Sequence, residues 1–320
     1  MFQFFRGKLA AKGFLYFSLC AITTVFIFKS NIKAQQNFSS DKKWETTTIN
    51  GDTVMPRTTF RLEHIAFNVE DPVTDARWFV DNFGFKIMYK GDPPNNTRFI
   101  ADEKNNMMME LYDNKKFPKL NFANISYMAI HFAFMVDSIE QVKEKLLAAG
   151  ATLAEDISVT LSGDKVLMLR TPWGLPIQFV ERIEPMLKYS FFRPEHFALN
   201  ISDPVSAAKW LTENLGMKIM RQGGAPNFTT FIADENKNMM FELFNNTNYP
   251  SLDFAGINYM SIHFAFIVDD INSVKEKLIS AGATVAEDIS TSANGTQVMV
   301  LRGPAGLPLQ FLKRPVPMIK

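Results

Sequence analysis

Residues 63–88 read EHIAFNVEDPVTDARWFVDNFGFKIM, and the phrase returns at 195–220 as EHFALNISDPVSAAKWLTENLGMKIM. It opens on a short, bounded apolar run, HIAFNV, which has the character of a strand. Asp71-Pro72 then offers an N-cap and a proline for a first turn, Trp78, Phe79 and Phe83 follow at helical spacing, and Gly84 closes the helix. FIADEKNNMMMELYDN (99–114) comes back as FIADENKNMMFELFNN (231–246), and YMAIHFAFMVDSIEQVKEKLLAAGAT (127–152) as YMSIHFAFIVDDINSVKEKLISAGAT (259–284). The spacing is constant at 132 (196 − 64), so the chain is a tandem of two domain-sized copies and not a solenoid of short units.

Each copy divides again. HFAFMV followed by a second helical pattern repeats the plan of HIAFNV, with Asp137-Ser138 at the start, Val142, Leu146 and Leu147 along it, and Gly150 at the end. Three strand-like runs follow each helix, and the last of them carries Glu110 in one half and Gln178 in the other. The unit is therefore βαβββ, occurring four times.

The chain contains only four histidines, and all sit at matched positions: His64 with His196, His131 with His263. Glu110 matches Glu242, and Gln178 matches Gln310. Neutral imidazole is the commonest protein metal ligand, which makes two copies of a metal site the hypothesis to test. Along a strand, residues i and i+2 share a face, so His64 is accompanied by Ala66 and Asn68, and His131 by Ala129 and Ala133. Small neighbours leave a cavity around the imidazoles, while Phe132 and Phe134 point into a core. Asn68 and Asn200 are placed to orient a ligand from behind. Glu110, in an otherwise apolar MMMELY run, needs a partner or a metal once buried. Trp78, Phe79 and the methionine runs read as core. Arg170 and Arg302 read as structural first and anion-binding second; Tyr112, Tyr127 and Tyr259 are weaker candidates for proton donors.

These residues resemble the vicinal oxygen chelate superfamily, which includes glyoxalase I, the bleomycin-resistance proteins and the extradiol dioxygenases. The resemblance runs from about residue 60 to 315 and rests on the strand-borne histidines of EHIAFNV and YMAIHFAF, the MELY glutamate, the closing PWGLPIQF, and the fourfold unit. It implies an α+β fold of two tandem domains, each of two βαβββ units forming a curled mixed sheet around a cleft. It implies a divalent ion (Zn, Mn, Ni or Fe) that chelates neighbouring oxygens of a small substrate. Carried over by position, the metal ligands are His64, Glu110, His131 and Gln178 in the first domain, and His196, Glu242, His263 and Gln310 in the second. The base is then Glu110 or Glu242, released from the metal, or a metal-bound hydroxide. The departure is the fourth ligand, a glutamine where the glyoxalase pattern has glutamate. An amide offers a carbonyl oxygen but accepts no proton near neutral pH, so the implied chemistry is lyase or isomerase in type, through an enolate, with the ordinary glyoxalase reaction a poor default. The alternatives are a binding protein that sequesters a ligand without turnover and, less favoured, an extradiol-type Fe(II) dioxygenase.

Composition bounds the rest. With 320 residues, 47% hydrophobic, 21% charged and net charge +1, the chain is globular and shows no basic stripe for nucleic acid. Arg6, Lys8 and Lys12, the apolar stretch Phe14 to Phe28 and the small residue Ala34 form the three-part plan of a secretory signal over 1–34. The lone cysteine, Cys20, falls within it. The expected order is signal 1–34, polar spacer 35–59, first domain 60–184, linker 185–192, second domain 193–315 and tail 316–320. The expected protein is exported to periplasm or exterior, without a stable membrane span after cleavage, the alternative being an uncleaved N-terminal membrane anchor, and is a monomer or homodimer.

Overall fold

The computed structural model describes residues 60–188 and 192–319. The expected signal and spacer lie outside the described residues, and no helix among those described is long and apolar enough to cross a membrane. The described chain belongs to one compact unit built from four βαβββ segments.

The first segment is β1 (Arg61–Asn68), α1 (Pro72–Phe83), β2 (Lys86–Lys90), β3 (Arg98–Ala101) and β4 (Met108–Tyr112). The second is β5 (Ile130–Met135), α2 (Ile139–Ala148), β6 (Thr152–Val159), β7 (Lys165–Arg170) and β8 (Pro176–Glu181). The third is β9 (Arg193–Asn200), α3 (Pro204–Leu215), β10 (Lys218–Gln222), β11 (Thr230–Ala233) and β12 (Met240–Phe244). The fourth is β13 (Ile262–Ile267), α4 (Ile271–Ser280), β14 (Thr284–Thr291), β15 (Gln297–Arg302) and β16 (Pro308–Lys313).

Local signals set the helix ends. The Asp71 carboxylate accepts from the backbone N–H groups of Val73 and Thr74, Pro72 occupies the first turn, and Gly84 takes the left-handed conformation that releases the chain, φ 70°. Asp203, Pro204 and Gly216 repeat the arrangement on α3. In the short helices, Ser138 and Asp270 cap the starts. Val142 and Leu146 of α2 are buried as expected, but Leu147 is exposed.

The four segments make two eight-stranded sheets. One runs β14-β15-β16-β13-β1-β4-β3-β2, the other β10-β11-β12-β9-β5-β8-β7-β6. The first segment thus shares a sheet with the fourth, and the second with the third. Each sheet closes at its middle by antiparallel pairing of two histidine-bearing strands, β1 with β13 and β5 with β9. The pairing that the sequence left open, within a copy or between copies, is between copies: every sheet takes half its strands from each copy, so His64 and Glu110 share a sheet with His263 and Gln310.

The faces turned away from the histidines form one continuous core that includes Phe67, Phe132, Phe197 and Phe264, all fully buried. Phe132, Phe197 and Phe264 each directly follow the histidine of their strand, Phe67 stands two places further along on β1, and Phe197 touches Phe67, Phe132 and Phe264 at ring-centroid distances of 6.2, 6.0 and 5.3 Å. The helices dock onto the same side: Phe79 and Phe83 of α1 pack on Phe134 at 6.3 and 5.0 Å, and the Trp78 indole N–H donates to the Ala149 carbonyl at 2.8 Å. Burying a Phe ring contributes up to roughly 3 kcal/mol, so this side of each sheet is where stability concentrates and the other is free for chemistry.

Candidate functional site

Register places the ligands. In one sheet Glu110, Ala66 and His263 lie abreast on β4, β1 and β13, and the adjacent row on the same face is His64, Ala265 and Gln310. The other sheet has Glu242, Ala198 and His131 in one row, and His196, Ala133 and Gln178 in the next. Polar side chains alternate with alanines like squares on a board, so four functional groups converge over methyl groups that cannot obstruct them. The first cleft thus holds His64, Glu110, His263 and Gln310, the second His131, Gln178, His196 and Glu242.

In the first cleft Glu110 Oε2 lies 3.2 Å from His64 Nε2 and 3.7 Å from His263 Nε2. In the second, Glu242 Oε2 lies 3.1 Å from His196 Nε2 and 3.6 Å from His131 Nε2. The histidines are buried, whereas each glutamate keeps 18% of its side-chain surface open to the cleft. Gln178 lines a cavity of about 380 Å³ together with His196 and Glu242, while Gln310 is half-buried on β16.

The opposite ring nitrogens fix the tautomers. His131 Nδ1 faces the Tyr127 carbonyl at 2.9 Å and His263 Nδ1 the Tyr259 carbonyl at 3.1 Å. His64 Nδ1 faces the Glu63 carboxylate at 3.0 Å and His196 Nδ1 the Glu195 carboxylate at 2.8 Å. Each of these oxygens is an acceptor, so each Nδ1 carries the proton and donates it. The neutral ring then presents a lone pair at Nε2, and all four Nε2 atoms are buried without a hydrogen-bond partner. Two lone pairs and a carboxylate oxygen crowd within 4.8 Å in each cleft, an arrangement that asks for a cation between them. The residues fit a divalent metal.

Electrostatics agree. Burial would raise the Glu110 carboxyl, but His263 and His64 outweigh it and hold the pKa at about 2; Glu242 is held low by His131 and His196 in the same way. Burial would lower the His64 and His196 imidazoles, but the flanking glutamates raise them, so a proton can stand where a metal would.

Behind the ligands are two carboxylates that alternation hides. Glu63 precedes His64 in sequence and would normally face the other way. The pairing of β1 with β13 skips a residue between Leu62 and His64, and that of β5 with β9 skips one between Pro194 and His196. These bulges bring Glu63 and Glu195 to their histidines, and Pro194 in a central strand is tolerated at such a point. Arg314 clamps Glu63 at 2.8 and 2.9 Å; Arg182 clamps Glu195 at 2.8 and 2.7 Å and also reaches Asp164 at 3.0 Å. Burial opposes ionisation of Glu195, but Arg182 and His196 hold it at about 2. A charged carboxylate on Nδ1 orients the ring and makes Nε2 a stronger donor to a metal. The repeated Glu-His dipeptides at 63–64 and 195–196 and the matched Arg182 and Arg314 were the available signals.

Other candidates take structural posts. The Asn68 amide donates to the carbonyls of Asn114, at 3.0 Å, and Phe117, at 3.2 Å, and its oxygen accepts from Asn114 N, pinning a loop; Asn200 does the same on Asn246 and Tyr249. The expectation that they steer a ligand is corrected. Arg170 is spent on the carbonyls of Phe122, Gly174 and Ile125, and Arg302 on those of Phe254, Gly306 and Ile257. Tyr112 donates its hydroxyl to the Met260 carbonyl. Tyr127 and Tyr259 serve the clefts through main-chain oxygens, not their phenols. Leu187, in the expected linker, and Ile319, in the expected tail, are buried against Met240 and Met108 on the cleft faces of the two sheets.

Residues 61–179 and 193–311 each match the Glyoxalase/Bleomycin resistance protein/Dioxygenase superfamily. The chain belongs to that superfamily. A putative lactoylglutathione lyase of Brassica oleracea var. gemmifera is 22% identical over 77% of this member and 89% of its own length, and a lactoylglutathione lyase of Arabidopsis thaliana is 23% identical over the same shares. Glyoxalase I from Zea mays superposes with a TM-score of 0.65 at 19% identity, covering 80% of this chain and 93% of that one. A putative dioxygenase from Bacillus subtilis gives 0.58 at 12% identity, covering 81% and 87%; such likenesses show the fold. The superfamily member thus has two tandem repeats folded into two glyoxalase-like sheets.

Proposed function

We propose that this protein is an exported, divalent-metal-dependent lyase or isomerase acting at two clefts on a small substrate with two neighbouring oxygens. The observation that carries the reading is the set of four buried, unpartnered Nε2 atoms, two beside each of Glu110 and Glu242. His64, His263 and Glu110 would hold one ion, with Gln310 as a weak or displaceable ligand; His131, His196 and Glu242 would hold the other, with Gln178 in that place. When bound, the ion supplies Lewis acidity to neighbouring substrate oxygens. The chain's own acid–base group is Glu110 or Glu242: the amides do not titrate, and every Nδ1 proton points away from the cleft. Ionised at neutral pH and partly open to the cleft, that carboxylate is the side chain placed to accept a proton from a substrate bound there whenever it is not engaged in holding the ion. The alanines keep the approach clear, and Glu63 and Glu195 keep the rings from turning.

The relatives' name suggests a lactoylglutathione-type substrate, but Gln178 and Gln310 stand where the glyoxalase pattern has a second carboxylate, which favours enolate chemistry on a different compound. The same neutral amide also favours a second reading, a binder that holds its ligand without turnover. A dioxygenase that needs a further histidine as acid–base has none, since all four occupy ligand positions. Metal analysis after reconstitution with Zn, Mn, Fe or Ni should give close to two ions per chain, and stoichiometry near zero for all four would sink the metal reading. Turnover of a hydroxy-ketone or acyl thioester by the loaded protein, reduced about 10²-fold or more in Glu242→Gln with Glu110→Gln, separates enzyme from binder. Export is checked by the mature N-terminus of protein recovered outside the cytoplasm.

A further inference from the structure

The two clefts share their ligands but not their mouths. At the second, Arg221 on β10 lines the cavity that holds His196, Glu242 and Gln178. Its guanidinium lies 5.6 Å from the Phe231 ring centroid, and Phe231 stands edge-on to His196 at 5.3 Å. Arg221 is exposed and forms no ion pair among the described residues. Arg182 flanks the same ring at 6.0 Å, but Glu195 and Asp164 already occupy it. Asp164 is in turn engaged by Arg182, Ser162 and the Ile183 N–H, so Arg221 is the uncommitted charge at this opening.

At the first cleft the equivalent of Arg221 is Tyr89, 51% exposed and edge-on to Phe99 at 6.1 Å. Here the adjoining cavity, about 470 Å³, is walled by Tyr89, Phe99, Val316 and Met318 together with Asn294, Thr296 and Arg314, the last already clamped on Glu63. Lys90 replaces Gln222, which lines the second cavity, but Lys90 is not among the residues that wall the first.

We infer that the clefts discriminate by charge: the second takes a chelating substrate that also carries an anionic group, carboxylate or phosphate, anchored by Arg221, and the first takes one with an uncharged or aromatic tail. A guanidinium on an aromatic face keeps its fork free for a carboxylate or phosphate. The first opening presents mainly apolar surface, a phenol and the neutral side chains of Asn294 and Thr296, and its one arginine is committed to Glu63, so a charged tail would lose water there without gaining a free cation. This inference rests on the metal reading above.

The zinc-loaded full chain tests it by calorimetry with two chelators of one skeleton, kojic acid (hydroxymethyl) and comenic acid (carboxylate at the same carbon). Comenic acid should resolve two classes of site about ten-fold apart in affinity, roughly the 1.4 kcal/mol that such a ratio represents, and added NaCl should weaken the tighter class. Arg221→Tyr should merge the classes at the weaker affinity, and Tyr89→Arg at the tighter, while zinc stoichiometry stays at the wild-type value. One class for comenic acid in the wild type, or a tight class that survives Arg221→Tyr, overturns the inference while leaving the metal sites standing. Absence of bound zinc overturns both together.

Discussion

Ala66 and Ala265 in one cleft, Ala133 and Ala198 in the other, do as much for the candidate centres as the ligands between them. Neighbouring Cα atoms across a sheet are about 5 Å apart, so any larger side chain in these squares would enter the space where the Nε2 atoms and the carboxylate meet. Ala198→Leu should cut metal stoichiometry from two to one by closing the second cleft, at an overpacking cost of about 1–3 kcal/mol; metal analysis with a denaturation midpoint reads both, and two bound ions in a folded variant would show that the alanines are not spacers. The histidines and Glu110 were legible in the sequence because repetition marked them and period-2 alternation put Ala66 and Ala133 beside them. Glu63 and Glu195 were not, because alternation assigns them to the wrong face until a bulge intervenes. Asn68 misled for the converse reason: it does share the face of His64, yet it sits at the strand end, where an unpaired loop carbonyl is nearer than any ligand.

Among the elements, the helices were the most readable, since Asp71, Pro72 and Gly84 act through their immediate neighbours. One helix carries a cost that its copy does not. Asp75 of α1 is buried, and burial together with the Asp71 charge pushes its carboxyl up to about 7. Its counterpart on α3 is Ala207, also buried. A carboxyl raised in the native state is protonated there while the unfolded chain ionises, so stability is full below about pH 4 and declines as pH rises towards 7. Asp75→Ala should remove that decline. Thermal melts should show the variant gaining on the wild type by about 1–2 kcal/mol between pH 4 and 8, a figure kept below the full linkage value for residual solvent screening. A constant offset across that range would mean that Asp75 is ionised without penalty.

At the scale of the molecule, the association of the first segment with the fourth was invisible to the sequence. Each cleft needs one His/Glu half and one His/Gln half, and either pairing supplies them, so the ligand list carries no information about topology. Contacts between β1 and β13 and between β5 and β9 decide it. A chain of residues 60–184 alone would leave β1 and β5 each without its antiparallel neighbour. Such a fragment should dimerise, pairing β1 of one chain with β5 of the next, and bind two ions per dimer; a monodisperse monomer by light scattering with one bound ion would mean that segments close within a copy just as readily.

The crossed pairing of the sheets bears on how this gene can change. A duplicated domain ordinarily leaves a spare, free to decay while its twin works. Here a lesion in the framework of either copy damages both clefts, so neither copy is dispensable and the eight inherited ligand positions are held in common. A divergence in ligand preference is left to positions that serve a single opening, and Tyr89 in place of Arg221 is one of them.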